Sequence, residues 1–140
     1  MRITDLMNHE PLVTWLDETL AVAAARMRKH NVKRLPVIDR EHHLYGIIAV
    51  RDIDQATAEA ARTAKANLLE TRQVRTLMTR RPITCLPHSP VRVAAALMLR
   101  NKIGFLPVVD ETRLVGILST TDMLRAAATL DLMARQEPRW

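Results

Sequence analysis

Gly104–Asp122 reads GFLPVVDETRLVGILSTTD, and this stretch decides the fold. Phe105–Asp110 is a short apolar run and Leu114–Leu118 is a second, with Asp110-Glu111-Thr112-Arg113 between them carrying turn chemistry. Two such runs joined by a four-residue polar connection predict a β-hairpin. Both strands are apolar on both faces, so the hairpin is expected to be buried rather than half-solvated. Pro107 has no amide hydrogen to donate, which points to an edge position or a bulge. The stretch closes on Ser119-Thr120-Thr121-Asp122, hydroxyls and a carboxylate where a strand gives way to an apolar-periodic helix. A small polar ligand would sit there.

The chain contains this stretch twice. Arg34–Asp52 reads RLPVIDREHHLYGIIAVRD. Leu35-Pro36-Val37 lies 71 positions before Leu106-Pro107-Val108, and Asp39 the same distance before Asp110. Past the turn the offset falls to 70, matching Gly46 with Gly116, Ile47 with Ile117 and Asp52 with Asp122. One residue has been removed from the hairpin turn, where length varies at little cost. Upstream the 71 offset holds for Leu6-Met7 with Leu77-Met78, Pro11 with Pro82, Val22–Ala25 with Val93–Ala96, and Met27 with Met98. The protein is a tandem repeat of two modules, residues 1–70 with a linker helix and residues 71–140.

Each repeat opens with a turn and an extended piece, Leu12–Trp15 after Pro11 and Ile83–Leu86 after Pro82. A helix follows. Thr19 is the expected N-cap for a helix to Lys29, with Leu20, Ala23, Ala24 and Met27 at helical spacing. In the second repeat Ser89 is the expected cap of a helix to Arg100, with Pro90 at its first position. The hairpin comes next, then a second helix, Asp52 to about Leu69 and Thr121 to about Ala134. Ala56–Leu69 contains no Gly, Pro or Ser and reads as a helical linker. The predicted class is α/β (α+β), two β-α-β-β-α repeats. One unit of this size buries too little surface alone, so two copies face to face would pack their sheets together with helices outside.

Composition narrows the function classes. Apolar residues are 48% of the 140 and aromatics only 3%, so the core must be aliphatic. No apolar run approaches the ~18–20 residues that span a bilayer, and the N-terminus lacks the apolar centre of a signal peptide. Cys85 is the single cysteine, which excludes an internal disulfide and a cysteine metal cluster. The expected location is cytoplasmic, with no membrane partner. The formal charge of +6 is spread out, base-stacking aromatics are nearly absent and no nucleic-acid motif is present. The charge reads as a solvated surface that also favours anionic small molecules.

These landmarks make the chain resemble a tandem cystathionine-β-synthase (CBS) domain pair, or Bateman module. They are the leading Asp5-Leu6-Met7 and Thr76-Leu77-Met78, the Leu-Pro-Val strand in both halves, the strand around Gly46 and Gly116, and a closing Asp. The resemblance covers nearly the whole chain. It implies pseudo-twofold symmetry between the repeats, dimerisation, and adenine-containing regulatory ligands such as AMP, ATP or S-adenosylmethionine in clefts between the repeats. It implies no catalysis and no true cofactor.

The family's site signature is Ser/Thr-x-x-Asp, the carboxylate accepting from ribose hydroxyls and the hydroxyl donating to phosphate beside a helix N-terminus. The second repeat has Ser119, Thr120 and Asp122; the first has Ala49 in place of the hydroxyl and keeps Asp52. A basic residue two positions before the strand proline often contacts phosphate in the family, and Arg34 stands there in the first repeat, Phe105 in the second. Base recognition would come from backbone and apolar walls, Ile83, Thr84, Leu106 and Pro107 in the second site, Leu12, Val13, Leu35 and Pro36 in the first. Plainer roles compete. Asp122 and Asp52 each suit a helix start, Ser119 suits a cap, Arg34 suits a solvated surface and Phe105 a cleft wall. His42-His43, adjacent in a turn and without a third ligand nearby, do not form a metal site. Cys85 reads as an apolar filler.

The sequence therefore supports a regulatory adenine-sensing module that signals to an effector protein in trans. Its competitor is a structural dimerisation module with decayed sites. An enzyme is disfavoured, because no nucleophile–base pair, carboxylate pair or glycine-rich phosphate loop is present. Alanine-rich helix faces, larger than one pair of repeats can cover, predict a homodimer.

Overall fold

The computed structural model describes residues 1–63 and 67–135, with side chains through residue 130. It is a mixed α+β structure that separates into two compact units. Unit 1 comprises Met1–Pro11, Ile83–Glu111 and Val115–Trp140; unit 2 comprises Leu12–Pro82 and Thr112–Leu114. The units are not the sequence repeats, since each takes its leading segment from the other repeat.

Unit 2 carries a four-stranded sheet in the order β1-β2-β3-β4, from Thr14–Trp15, Arg34–Ile38, Leu44–Ala49 and Thr79–Arg80. Strand β1 is parallel to β2, with Thr14 opposite Val37; β2 and β3 form the expected hairpin, with Pro36 opposite Ile47; β4 is antiparallel to β3, with Ile47 opposite Thr79. Unit 1 repeats the arrangement more sparsely. The hairpin of β5 (Phe105–Asp110) and β6 (Arg113–Ser119) is flanked by single bridges, Cys85 to Val108 and Asn8 to Ile117. The turn between β5 and β6 is two residues, Glu111-Thr112, rather than four, with Glu111 at φ 58°.

The proline expectation resolves differently in the two strands. Strand β2 is interior, yet β1 pairs only with Val37 and Ile38, so no ladder bond is lost at Pro36, and a register shift follows at Val37/Ile38. In β5 the bridge uses the Pro107 carbonyl and the Val109 amide, at 3.1 and 3.0 Å, and leaves the proline nitrogen out.

Helices α1 (Ile3–Leu6) and a 3-10 turn at Val74–Thr76 belong to the leading segments. Helix α2 (Leu20–His30) starts at Thr19, whose Oγ1 accepts from the Val22 amide at 3.3 Å, as expected. Helix α5 (Val91–Asn101) departs from expectation, for its N-cap is Pro90 and Ser89 makes no side-chain cap. The Val91 amide is bonded instead to the Met1 carbonyl at 3.1 Å, as the Leu20 amide is to Arg72 at 2.9 Å. A leading segment thus supplies an acceptor for the first helical amide in each unit, and in α5 the Val93 amide that a side-chain cap would engage bonds to the Pro90 carbonyl at 3.0 Å. Both helices end on a left-handed residue, Asn31 and Lys102.

Helix α3 (Val50–Arg62) also differs from the sequence reading, which carried it to about Leu69. Thr63 ends it, its hydroxyl bonding back to the Glu59 and Ala60 carbonyls, and Asn67 at φ 67° precedes a separate short helix α4 (Leu68–Thr71). The stretch 64–66 of the expected linker helix lies outside the described residues, as does the tail 136–140. Helix α6 runs Thr120–Arg135.

The core comes as two clusters. One holds Ile3, Met7, Cys85, Ala94, Met98, Leu106, Val108 and Leu118, the other Leu20, Ala23, Met27, Leu35, Val37, Ile48, Ile53 and Val74. Six positions match at the repeat offset, among them Ile3 with Val74, Met27 with Met98 and Leu35 with Leu106. Full burial of each such aliphatic side chain is worth about 1.5–3 kcal/mol. Glycine is required where the leading segments cross the hairpins. A Cβ on Gly116 would stand 2.7 Å from Met7 Sδ and 2.8 Å from the Asn8 carbonyl oxygen; one on Gly46 would stand 2.9 Å from Met78 Sδ and 2.5 Å from the Thr79 oxygen.

Candidate functional site

In unit 1 two backbone contacts gather the predicted site residues around the start of β5. The bridge of Cys85 to Val108 lays Ile83-Thr84 beside Pro107, and the Thr120 amide donates to the Gly104 carbonyl at 3.0 Å, which brings the start of α6 to Phe105. Ser119 and Asp122 then form a reciprocal cap. The Ser119 amide and hydroxyl donate to Asp122 Oδ2 at 2.8 and 2.9 Å, and the Asp122 amide donates to Ser119 Oγ at 3.1 Å. This is the geometry of a capping box. The capping reading of both residues is therefore realised, and the hydroxyl proton expected to serve phosphate is spent within the box. What stays open is Asp122 Oδ1, with the Arg125 guanidinium at 3.9 Å, together with the exposed Thr120 hydroxyl and the Thr121 amide. One half-buried carboxylate oxygen and two adjacent donors can hold a vicinal diol and a small anion.

In unit 2 the corresponding place is built with other groups. Arg34 lies directly across the β2–β3 ladder from Ala49, and the Val50 amide donates to the Lys33 carbonyl at 2.9 Å. Helix α3 has no side-chain cap, because Ala49 has no oxygen to offer. Asp52 stands half-buried in its first turn, and no hydrogen bond engages its carboxylate among the described residues. Arg34 is exposed. Leu12 and Val13 run alongside Pro36 through the β1–β2 pairing.

The wall residues divide. Leu106 and Leu35 are wholly buried in the two cores, and Pro107 and Pro36 are buried as well, so their side chains are withdrawn from the surface. Ile83 is 38% exposed, and Thr84, Phe105, Leu12 and Val13 are half-buried. Cys85 is buried, and burial pushes its thiol up to about 11, which keeps it neutral and unreactive. His43 Nδ1 donates to Asp39 Oδ2 at 2.9 Å, and no group of three metal-ligating side chains occurs among the described residues.

The sequence reading missed one network. Glu18 and Arg26 form a two-pronged ion pair, at 2.7 and 3.0 Å, with side chains 16% and 24% exposed. Glu18 Oε1 also accepts from the Trp15 amide at 3.0 Å and from the buried Thr14 hydroxyl at 3.1 Å, while Arg26 Nη1 donates to the Val13 carbonyl at 2.9 Å. Burial alone would raise the Glu18 carboxyl, but the Arg26 hydrogen bond, the Trp15 amide and the Arg26 charge together hold it below its usual range. The Arg26 and Arg40 guanidinium carbons lie 5.5 and 4.7 Å from the Trp15 ring centre. The signal available in the sequence was a break in the repeat, since 71 positions later Glu18 and Arg26 become Ser89 and Leu97.

Comparison with known proteins agrees with this picture. The CBS domain family model matches residues 3–59 and 74–129. A CBS domain-containing protein of Dictyostelium discoideum is 34% identical over 127 residues, covering 87% of this chain and 88% of that protein. A solved CBS domain pair in complex with 5′-methylthioadenosine and S-adenosyl-L-methionine has a TM-score of 0.75 at 30% identity, over 91% of this chain and 99% of that one. The structure of CBSX2 in complex with AMP has a TM-score of 0.80 at 27% identity, over 93% and 98%. An L-aspartate semialdehyde sulfurtransferase of Methanocaldococcus jannaschii is 32% identical over 124 residues, but the chain spans only 22% of that enzyme's length. The chain belongs to the CBS domain family and carries the domain twice in tandem.

Proposed function

We propose that this protein is a regulatory module, not an enzyme, that binds an adenine nucleoside or nucleotide and passes its occupancy to a separate effector protein. The observation that carries this reading is the open Asp122 Oδ1 in the first turn of α6, a helix whose Thr120 amide is bonded to Gly104 next to Phe105; a carboxylate oxygen and an aromatic ring are what a ribose diol and a base call for. That related CBS pairs were solved with AMP, S-adenosylmethionine and methylthioadenosine supports the ligand class. The better site is the second repeat's, from Ile83, Thr84, Phe105, the Leu106-Pro107 backbone, Ser119, Thr120 and Asp122. There Ser119 positions the carboxylate rather than touching phosphate. The first repeat would contribute Leu12, Val13, Arg34, the Leu35-Pro36 backbone and Asp52. The functional form is a homodimer in the cytoplasm, and light scattering giving the 15.9 kDa monomer mass at micromolar concentration would refute that assembly.

The test is calorimetric titration of the purified protein with adenosine, AMP, ATP and S-adenosylmethionine. Binding of at least one, weakened roughly ten- to 150-fold by Asp122→Ala, is expected. If none binds while the protein remains a dimer, the reading gives way to the structural dimerisation module, which the hydroxyl-free Ala49 and the uncharged Phe105 favour.

A further inference from the structure

We propose that Arg26, clamped by Glu18, closes the first repeat's backbone edge to an amine-bearing base, so that each chain takes a single adenine ligand, in the second repeat. The inference rests on the adenine-ligand reading above and adds to it which repeat is used and which residue decides.

Strand β1 is the outer strand of its sheet. Successive residues of a strand turn their amide and carbonyl to opposite sides. With Thr14 paired to β2, the Val13 carbonyl and the Trp15 amide face outward, and both are already engaged, by Arg26 Nη1 at 2.9 Å and Glu18 Oε1 at 3.0 Å. An exocyclic amine on a purine needs such a carbonyl as acceptor. At Val13 it would have to displace a charge-assisted bond from a guanidinium that three further contacts hold in place, two to Glu18 and one to the face of Trp15.

The second repeat lacks every part of this device. At the matching positions Trp15, Glu18 and Arg26 become Leu86, Ser89 and Leu97. Cys85 turns its own amide and carbonyl to β5, so the neighbouring Thr84 carbonyl faces outward, and it accepts no bond among the described residues. Ile83 and Leu86 flank it, 38% and 57% exposed. One repeat therefore presents an occupied edge and the other a free edge between apolar side chains. Covering an outer strand is itself a useful structural role, and the experiment separates the two roles.

AMP is titrated calorimetrically against the full chain, wild type and variants. Wild type is expected to take one AMP per chain, lost in Asp122→Ala and kept in Asp52→Ala. Arg26→Leu, the residue that the second repeat carries, is expected to take two, the added one removed by Asp52→Ala in the same chain. Arg26→Gln, too short to reach Val13 but still polar, replaces it should Arg26→Leu not give a cooperative melt. Two AMP per chain in wild type overturns the proposal. So does a lowered melting temperature in the Arg26 variants with stoichiometry fixed at one, the outcome of a purely edge-covering role. If neither wild type nor the Arg26 variants bind AMP or adenosine, the adenine reading itself fails and takes this inference with it.

Discussion

Replacing Asp122 and Asp52 by alanine separates what the sequence treats as twins. In wild type Asp122 Oδ2 accepts from both the amide and the hydroxyl of Ser119, at 2.8 and 2.9 Å, whereas the carboxylate of Asp52 makes no protein hydrogen bond among the described residues. Asp122→Ala strands the half-buried Ser119 amide and removes the carboxylate half of the capping box, while the residue 122 amide still reaches Ser119 Oγ, at a cost of about 1–2 kcal/mol. Asp52→Ala loses only a favourable charge at a helix start, about 0.3–1 kcal/mol. At roughly 2–4 °C per kcal/mol, thermal unfolding followed by circular dichroism should place the Asp122 variant below the Asp52 variant. Affinity adds a second axis. Loss of a charge-assisted bond to ribose is worth about 1.5–3 kcal/mol, a weakening of roughly ten- to 150-fold, expected for Asp122→Ala and not for Asp52→Ala. Equal destabilisation by the two substitutions would refute the capping-box argument. Unchanged AMP affinity in a folded Asp122→Ala protein would refute its role in the site.

Gly116→Ala and Gly46→Ala should each cost about 1–3 kcal/mol through overpacking, because the carbonyl oxygens of Asn8 and Thr79 cannot swing aside as the methionine sulfurs can. Gly104→Ala, whose added carbon meets the Thr120 side chain, Oγ1 nearest at 3.1 Å, should cost less, and urea denaturation that ranks it with the other two would contradict the crossing geometry. Glu18→Gln should remove about 2 kcal/mol at neutral pH. Since the folded carboxyl lies below the ordinary glutamate value of 4.5, the stability it contributes is present above that pH and drains away as pH falls through the folded value. Wild type and Glu18→Gln should accordingly converge in acid, and a gap that widens there would reverse the sign. Phe105→Arg should raise affinity for ATP relative to adenosine, since the second site otherwise offers a polyphosphate only hydroxyls and amides; wild type that already prefers ATP to AMP, with Phe105→Arg neutral, would sink that argument.

Much of this was legible beforehand. Thr19 before Leu20, Ala23 and Met27 announced a capped helix, and the two Leu-Pro-Val runs announced buried hairpins, because each signal lies within a few contiguous residues. Where the reading slipped, a distant partner was responsible. Ser89 looks like a cap only until the Met1 carbonyl reaches the Val91 amide. Ser119 looks like a phosphate donor until its hydroxyl is found donating to Asp122 Oδ2. Ala56–Leu69 contains no breaker residue, yet the Thr63 hydroxyl competes for the helix's last carbonyls and the chain turns.

The sequence by itself determined that there are two copies, what elements each contains and which family they form, because repeat register, periodicity and turn chemistry are local properties of the string. Only the tertiary structure decided which segments belong together. Leu6-Met7 and Leu77-Met78 are near-identical leaders, and any strand edge can satisfy their backbone, so nothing local says which hairpin each will cross. The missing side chains of Gly116 and Gly46 admit either leader, and the folded chain sets Met7 against Gly116 and Met78 against Gly46, each leader on the other repeat's hairpin. The same holds for the candidate sites. Asp122 and Asp52 are equivalent as letters, and they become different once Ser119 engages Asp122 while Asp52 has no such partner among the described residues; Arg26, eight residues beyond Glu18, likewise covers the β1 edge of one repeat alone.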